Sequence, residues 1–310
     1  MSDPKPLRIG TRGSPLALAQ ATEVQKRLCA VEPLMDNGKM PIIKTIKTSG
    51  DKFLDQPLKE IGGKGLFSKE IDEALICDKI DLAVHSVKDL ETLLPNGITL
   101  AAVIKREDPR DVFISQLAKS IDDLPSGSII GTSSLRRQAQ ILRRRPDLVV
   151  KPFRGNVQTR IQKLKDGDVD ATLLALAGLK RLKIANIATE ILDPDIILPS
   201  VGQGAIGITC RNEDADILTM LTKINHSTSW LCVEAERAML KSLDGSCRTP
   251  IGGLADSKLD GTMNLKGLLA NEDGSKVFKA SKVGPAIEAK AIGAHVGMKL
   301  LRLAGSEFKT

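Results

Sequence analysis

Residues 128–145 run as an apolar strand end, a glycine, three hydroxyl residues and an arginine-rich helix; residues 149–160 then give a second strand followed by a helix start at Gly155-Asn156. Strands that feed helices in this way build α/β sheets and deliver side chains at the strand ends. The same stretch carries the charge. Residues 131–160 hold seven arginines and Lys151 against a single acid, Asp147, a formal +7 that equals the net charge of the whole 310-residue chain. The remaining residues balance to zero, which points to a local anion site rather than a generally basic surface.

The order of residues within the stretch refines this. Thr132, Ser133 and Ser134 offer cap hydroxyls, and Leu135, Ala139 and Leu142 form one apolar face. Arg136 and Arg137 fall in the first turn, where the helix dipole favours anions over cations. Free N–H groups, a serine hydroxyl and two guanidiniums at one helix start make a carboxylate or phosphate cradle. Arg143, Arg144 and Arg145 sit in the last turn, where the dipole favours them, and read as a solvated face.

Bulk properties exclude several classes. Length allows two or three domains. Aromatics are only 2% with no tyrosine, so the cores are aliphatic and there is little to stack nucleic-acid bases. Apolar runs such as 171–177 are too short for a bilayer, and residues 1–14 lack the apolar core of a secretory signal. Five cysteines, Cys29, Cys77, Cys210, Cys232 and Cys247, show no metal-ligand or disulfide spacing and indicate a reducing compartment. Cys247 alone stands in a polar setting, among Asp244, Gly245, Ser246 and Arg248.

Along the chain, a strand at 7–10 leads to Arg12 in a turn, with Ser14 as cap and Pro15 at the first helical position. A strand at 42–47 precedes the glycine- and lysine-rich segment 48–66, which reads as a mobile lid and lacks the ending of a phosphate-binding P-loop. An amphipathic helix follows at 67–77. The buried strand 80–84 ends in His85-Ser86-Val87-Lys88-Asp89, where Asp89 is the best candidate in the chain for a general acid or for a carboxylate that stabilises developing positive charge. Another strand spans 98–105. The charged, proline-containing segment 106–111 reads as an interdomain crossing, and 198–204 as the return crossing before a strand at 205–210.

The domain expectation is a discontinuous first lobe (1–105 and 200–222), a second lobe (111–198) and a small α+β domain (225–310) with two strands, 263–270 and 276–283, and a terminal helix. Two α/β lobes joined by two crossings make a clamshell. Arg12 and Ser14, Ser86 with Lys88 and Asp89, Ser134 with Arg136 and Arg137, Arg154 with Arg160, and Arg181 all fall at strand ends or helix starts. One carboxylate takes one or two such partners, so this many implies a polyanionic ligand.

The segments RIGTRGSPLALAQ, GGKGLFSKEID, AVHSVKD, REDPRD, GTSSLRRQ, FRGNVQTR, LALAGLKRL, VGQGAIGI and LDGSCRTPIGG resemble the porphobilinogen deaminases, also called hydroxymethylbilane synthases, in the family's order and over nearly the whole chain. The resemblance implies two lobes of the type II periplasmic-binding-protein class plus a small C-terminal α+β domain. It implies a transferase with a covalent dipyrromethane cofactor on Cys247, joining four porphobilinogens with loss of ammonia. Asp89 matches the catalytic aspartate, beside the cationic azafulvene that loss of ammonia leaves. Ser86, Lys88, Asp89, Ser134, Arg136 and Arg137 match cofactor-binding positions. Arg12, Ser14, Arg154, Arg160 and Arg181 match substrate-binding positions, with Gln20 and Phe67 near them. No metal, nucleic-acid or membrane partner is implied. The implied state is a monomer, cytoplasmic or a processed plastid form.

One departure stands out. Where the family has a hydrophobic residue and then proline after Lys-Asp, this chain has Leu90-Glu91, which restores a backbone N–H and adds negative charge near Asp89. Reduced or shifted activity is the expected consequence. Two rival readings are a non-catalytic anion-binding clamshell, which needs neither Asp89 nor a modified Cys247, and a nucleic-acid-binding protein, suggested by a pI of about 9.1.

Overall fold

A computed structural model describes residues 6–31, 40–52, 67–244 and 249–305. The chain begins with β1 (Arg8–Arg12), α1 (Pro15–Val31), β2 (Ile42–Ile46), α2 (Ser49–Lys52), α3 (Lys69–Ile76), β3 (Leu82–Ser86) and β4 (Ile98–Val103). It continues through β5 (Asp111–Ser115), β6 (Ile129–Gly131), α4 (Leu135–Arg144), β7 (Val149–Lys151), α5 (Val157–Lys165), β8 (Ala171–Ala175), α6 (Leu176–Arg181) and β9 (Glu190–Ile191). The last elements are β10 (Ile206–Arg211), α7 (Ala215–Thr222), α8 (Ser227–Ser242), β11 (Ile251–Ser257), β12 (Thr262–Ala270), β13 (Val277–Pro285) and α9 (Ala289–Ala304).

The described residues fall into two compact units, one drawn from 6–106 and 205–230, the other from 107–204 and 231–305. In the first, the sheet runs β2-β1-β3-β10-β4. β1 pairs in parallel with β2 and β3, while β10 is antiparallel to both its neighbours. In the second, the sheet runs β7-β6-β8-β5-β9, with β6 parallel to β7 and β8, and β5 antiparallel to β8 and β9. In each sheet one strand lies between the two that follow it in sequence, β1 between β2 and β3 and β6 between β7 and β8, and one strand is reversed. That strand is β5 after the 106–110 segment and β10 after 198–205. Mixed sheets of this order, flanked by helices, fit the two α/β lobes expected from the sequence.

Burial explains the element choice. Strands β3 and β8 are buried on both faces over their first four residues, as central strands covered by helices are. In the first unit Ile9, Leu82, Val84, Ile206 and Ile208 pack with Ala21, Val24 and Leu28 of α1. Phe113, Ile130, Ile141 and Leu173 form a core in the second unit. Strand β2 lies at a sheet edge and stays half-buried or exposed, a thinner cover than its alternating sequence predicts.

The C-terminal sheet has three antiparallel strands, β11-β12-β13, one more than the two read from sequence. The extra strand, β11, is masked in the sequence by Gly252 and Gly253. Both are there because neighbours leave no room: a Cβ at Gly253 would lie 2.5 Å from the Met239 side chain. This sheet packs with α8 and α9 through Met239, Leu265, Val296 and Leu300. Within the same unit, Leu268 and Ala270 of β12 also pack with Ala139 of α4 and with Leu198.

Candidate active site

In the first unit the site starts from two strand ends. β1 ends on Arg12, and Ser14 then caps α1, its Oγ accepting from Ala17 N at 3.2 Å. β3 ends on Ser86 and runs into a single 3-10 turn, Val87–Asp89. Val87 and Leu90 are buried on either side of that turn, and Val87 N donates to Ala205 O at 3.0 Å. These anchors leave Lys88 half-buried and Asp89 exposed. A pocket open to solvent is lined by Arg12, Ser14, Gln20, Phe67, Ser86 and Asp89 among others. Lys88 shares the turn but does not line this pocket.

Side-chain contacts fix the pocket wall. The Gln20 amide donates to Ser86 Oγ at 2.8 Å, and Gln20 itself is buried. The Arg12 guanidinium lies 4.3 Å from the centre of the Phe67 ring. His85, one residue before Ser86, is buried and lies 3.1 Å from Thr209 Oγ1. Burial, with the Arg12 charge adding to it, pushes the His85 imidazole down to about 4. It is therefore neutral at physiological pH and takes no part as a cation.

In the second unit, β6 leads into α4 as the hydroxyl run predicts. Ser134 Oγ accepts from Arg137 N at 3.5 Å, and Ser133 Oγ accepts from Phe153 N at 2.9 Å. The cap uses a lone pair of Ser134, so its O–H remains a donor. Arg136 and Arg137 are buried in the first turn, which is not the open cradle that sequence alone describes. Both reach Asp111, the first residue of β5: Arg136 Nη1 at 2.8 Å from Oδ2, and Arg137 Nη2 at 2.7 Å from Oδ1. Arg136 Nη1 also donates to Leu198 O, and Arg137 Nη1 to Leu173 O, each at 2.7 Å. Arg136 Nε has no acceptor among the described residues.

The other predicted arginines of this unit are half-buried. Arg154 follows β7. Arg160 lies in α5, which Asn156 caps, and its Nε donates to Gly155 O at 3.0 Å. Arg181 ends α6 and donates to Gly204 O at 3.0 Å. Its neighbour Lys180 pairs with Glu107 at 2.8 Å. Asp111 and Gln203 are the polar residues that sequence reasoning missed here, because both fall in segments read only as crossings.

Cys247 lies outside the described residues, as do residues 53–66 of the expected lid. The departure at Glu91 has a neighbour that sequence does not show. Asp72 on α3 is raised to about 6, chiefly by burial against an opposing Ser68 hydrogen bond, and the Glu91 charge adds to the rise. Among the described residues no cluster of His, Cys, Asp and Glu is arranged to hold a metal, and no helix is long and apolar enough to cross a membrane.

Comparison with known proteins places this geometry. The family model "Porphobilinogen deaminase, dipyromethane cofactor binding domain" matches residues 7–219, and "Porphobilinogen deaminase, C-terminal domain" matches residues 230–302. The chain is 53% identical to the chloroplastic porphobilinogen deaminase of Pisum sativum, over 97% of this chain and 83% of the relative. It is 49% identical to the porphobilinogen deaminase of Paracoccus denitrificans, over 99% and 98%. Among solved structures, a periplasmic sulfonate-binding protein of Methylobacillus flagellatus aligns at 17% identity and a TM-score of 0.39, over 79% of this chain and 69% of its own. On the two family models and on relatives of this identity over nearly its full length, the chain belongs to the porphobilinogen deaminase family.

Proposed function

We propose that this chain is a hydroxymethylbilane synthase, a transferase that joins four porphobilinogen molecules head to tail and frees linear hydroxymethylbilane by hydrolysis. Each condensation bonds the aminomethyl carbon of porphobilinogen to a pyrrole α-carbon, expels the amine as ammonia and releases the α-carbon's proton. The observation that carries the reading is the pocket in which the exposed Asp89 carboxylate stands with Arg12, Ser14, Gln20 and Ser86.

The residues take distinct roles. Asp89 delivers a proton to the leaving amine nitrogen, and its carboxylate then stabilises the positive charge left on the substrate. Arg12, held against Phe67, and Ser14 bind substrate carboxylates, with Arg154, Arg160 and Arg181 serving the growing chain. Ser86, Lys88, Ser134, Arg136 and Arg137 hold cofactor carboxylates. Cys247 would hold the dipyrromethane cofactor through a thioether, and when bound that group would supply the pyrrole α-carbon at which elongation begins. The residues fit such a group: Arg136 has a buried N–H without an acceptor, and two guanidiniums face one internal carboxylate, so an acidic ligand completes them. We place the protein as a monomer in the cytoplasm or, processed, in a plastid.

The test is stoichiometry. Porphobilinogen is added to the full chain, and ammonia and linear tetrapyrrole are measured together. One ammonia per porphobilinogen consumed, and four per hydroxymethylbilane formed, is expected. Binding of porphobilinogen with no ammonia released would leave only an anion-binding clamshell.

A further inference from the structure

One fully buried carboxylate serves three donors in the second unit. Asp111 Oδ1 accepts from Arg137 Nη2 at 2.7 Å, from Arg137 Nε at 3.2 Å and from Gln203 Nε2 at 3.0 Å, while Oδ2 lies 2.8 Å from Arg136 Nη1. Gln203 Nε2 also donates to Pro109 O at 2.6 Å, tying the carboxylate's partner to the residues just before β5. Gln140 braces the opposite side: its Oε1 accepts from Leu198 N at 2.8 Å and its Nε2 donates to Leu198 O at 3.1 Å, the carbonyl that Arg136 also uses. The guanidiniums are thus gripped from both ends.

The charges do not balance. Among the described residues, two guanidiniums against one carboxylate leave a surplus of one positive charge, in side chains only 4–5% exposed. An uncompensated interior charge is costly, so the arrangement calls for a counter-charge from a ligand. Burial alone would raise the Asp111 carboxyl. The two guanidiniums reverse that and hold it far below the usual carboxylate range, so the anion is permanent across physiological pH. Without Asp111 two like charges would share one buried site and turn away from each other. With it, their remaining N–H groups point in fixed directions.

We propose that Asp111, steadied by Gln203, is a positioning residue that aims Arg136 and Arg137 at the cofactor and sets their subsite to accept a single ligand carboxylate. This rests on the reading of Arg136 and Arg137 as cofactor ligands. Asp111 touches neither substrate nor cofactor. It acts through the guanidiniums, and the 111–136–137–203 set works as one unit.

The experiment follows loading rather than turnover. The full chain is produced without porphobilinogen, as wild type, Asp111→Asn, Asp111→Glu and Gln203→Leu. Porphobilinogen is added, and the fraction carrying the pyrrole adduct is followed by intact mass beside a urea-unfolding midpoint for each chain. Gln203→Leu keeps every charge and should still fold, yet its folded fraction should load roughly tenfold more slowly, the loss expected when a hydrogen bond to a charged group is given up. Asp111→Glu, which keeps the charge but displaces it by a methylene, should also load slowly. Asp111→Asn should load slowest, or fail to fold, in which case the other two decide. Folded variants that load at the wild-type rate, differing only in midpoint, would reduce Asp111 to a structural ion pair. A wild-type chain that never loads would instead overturn the proposed function itself.

Discussion

The Arg12 guanidinium stacks 4.3 Å from the centre of the Phe67 ring, on the wall of the pocket that Asp89 also lines. A cation over an aromatic face is held by the ring quadrupole, worth about 0.5–2 kcal/mol depending on desolvation. Phe67→Leu keeps the apolar bulk and removes the ring. Its KM for porphobilinogen should rise about two- to thirtyfold. Its kcat should change little, because binding is lost equally in ground and transition states. Steady-state kinetics check this, and an unchanged KM would mean that Arg12 needs no support from the ring.

Asp89 stands exposed on a turn whose stability comes from Val87 and Leu90. Asp89→Asn should therefore leave stability within about 0.5 kcal/mol of wild type. Its kcat should fall by roughly a hundredfold or more, the scale of a lost general acid. Unfolding midpoints and turnover measured on the same preparation separate the two effects.

Gly204 stands at the second crossing with φ of +86°, and a Cβ there would lie 2.3 Å from the Glu107 carbonyl oxygen. The close approach is a backbone pairing, since Glu107 N donates to Gly204 O at 3.2 Å. Gly204→Ala should lower stability by more than about 1 kcal/mol, from both the left-handed backbone and the clash. Urea unfolding is the measurement, with an unaltered midpoint as the contrary result.

Two buried groups give opposite pH slopes. His85 falls from an ordinary 6.5 to about 4 through burial, so its contribution is whole above 6.5 and is lost as pH falls toward 4. Asp72 rises from 3.8 to about 6, again chiefly through burial, so the folded chain gains stability as pH falls from 6 toward 4. The slopes oppose each other in wild type. Asp72→Asn removes the opposing slope and keeps that of His85, so stability should drop more steeply between pH 6.5 and 4.5. Parallel unfolding curves for the two proteins over that window would contradict the assignment.

Much of this was legible because it is local. The run Thr132-Ser133-Ser134 before an apolar helix announces a cap, and Ser134 is one. Ser14 followed by Pro15 announces another. Asp89 could be singled out because a buried strand leads straight to it. What escaped is non-local. Asp111 meets Arg137 across 26 residues and Gln203 across 92, and no sequence pattern records such pairings. Glu91 was legible as a charge two residues from Asp89, but that the same charge also acts on Asp72 of α3 was not, because the two are 19 residues apart in sequence. β11 escaped because Gly252 and Gly253, small to admit Leu198 and Met239, resemble loop residues in a sequence.

The central claim is a covalent pyrrole primer on Cys247, and intact mass tests it most directly. The full chain and Cys247→Ser are incubated with porphobilinogen, denatured and weighed. A gain equal to two condensed pyrrole units in the wild type alone is the predicted result. A bare polypeptide mass in both, after that incubation, would contradict the account.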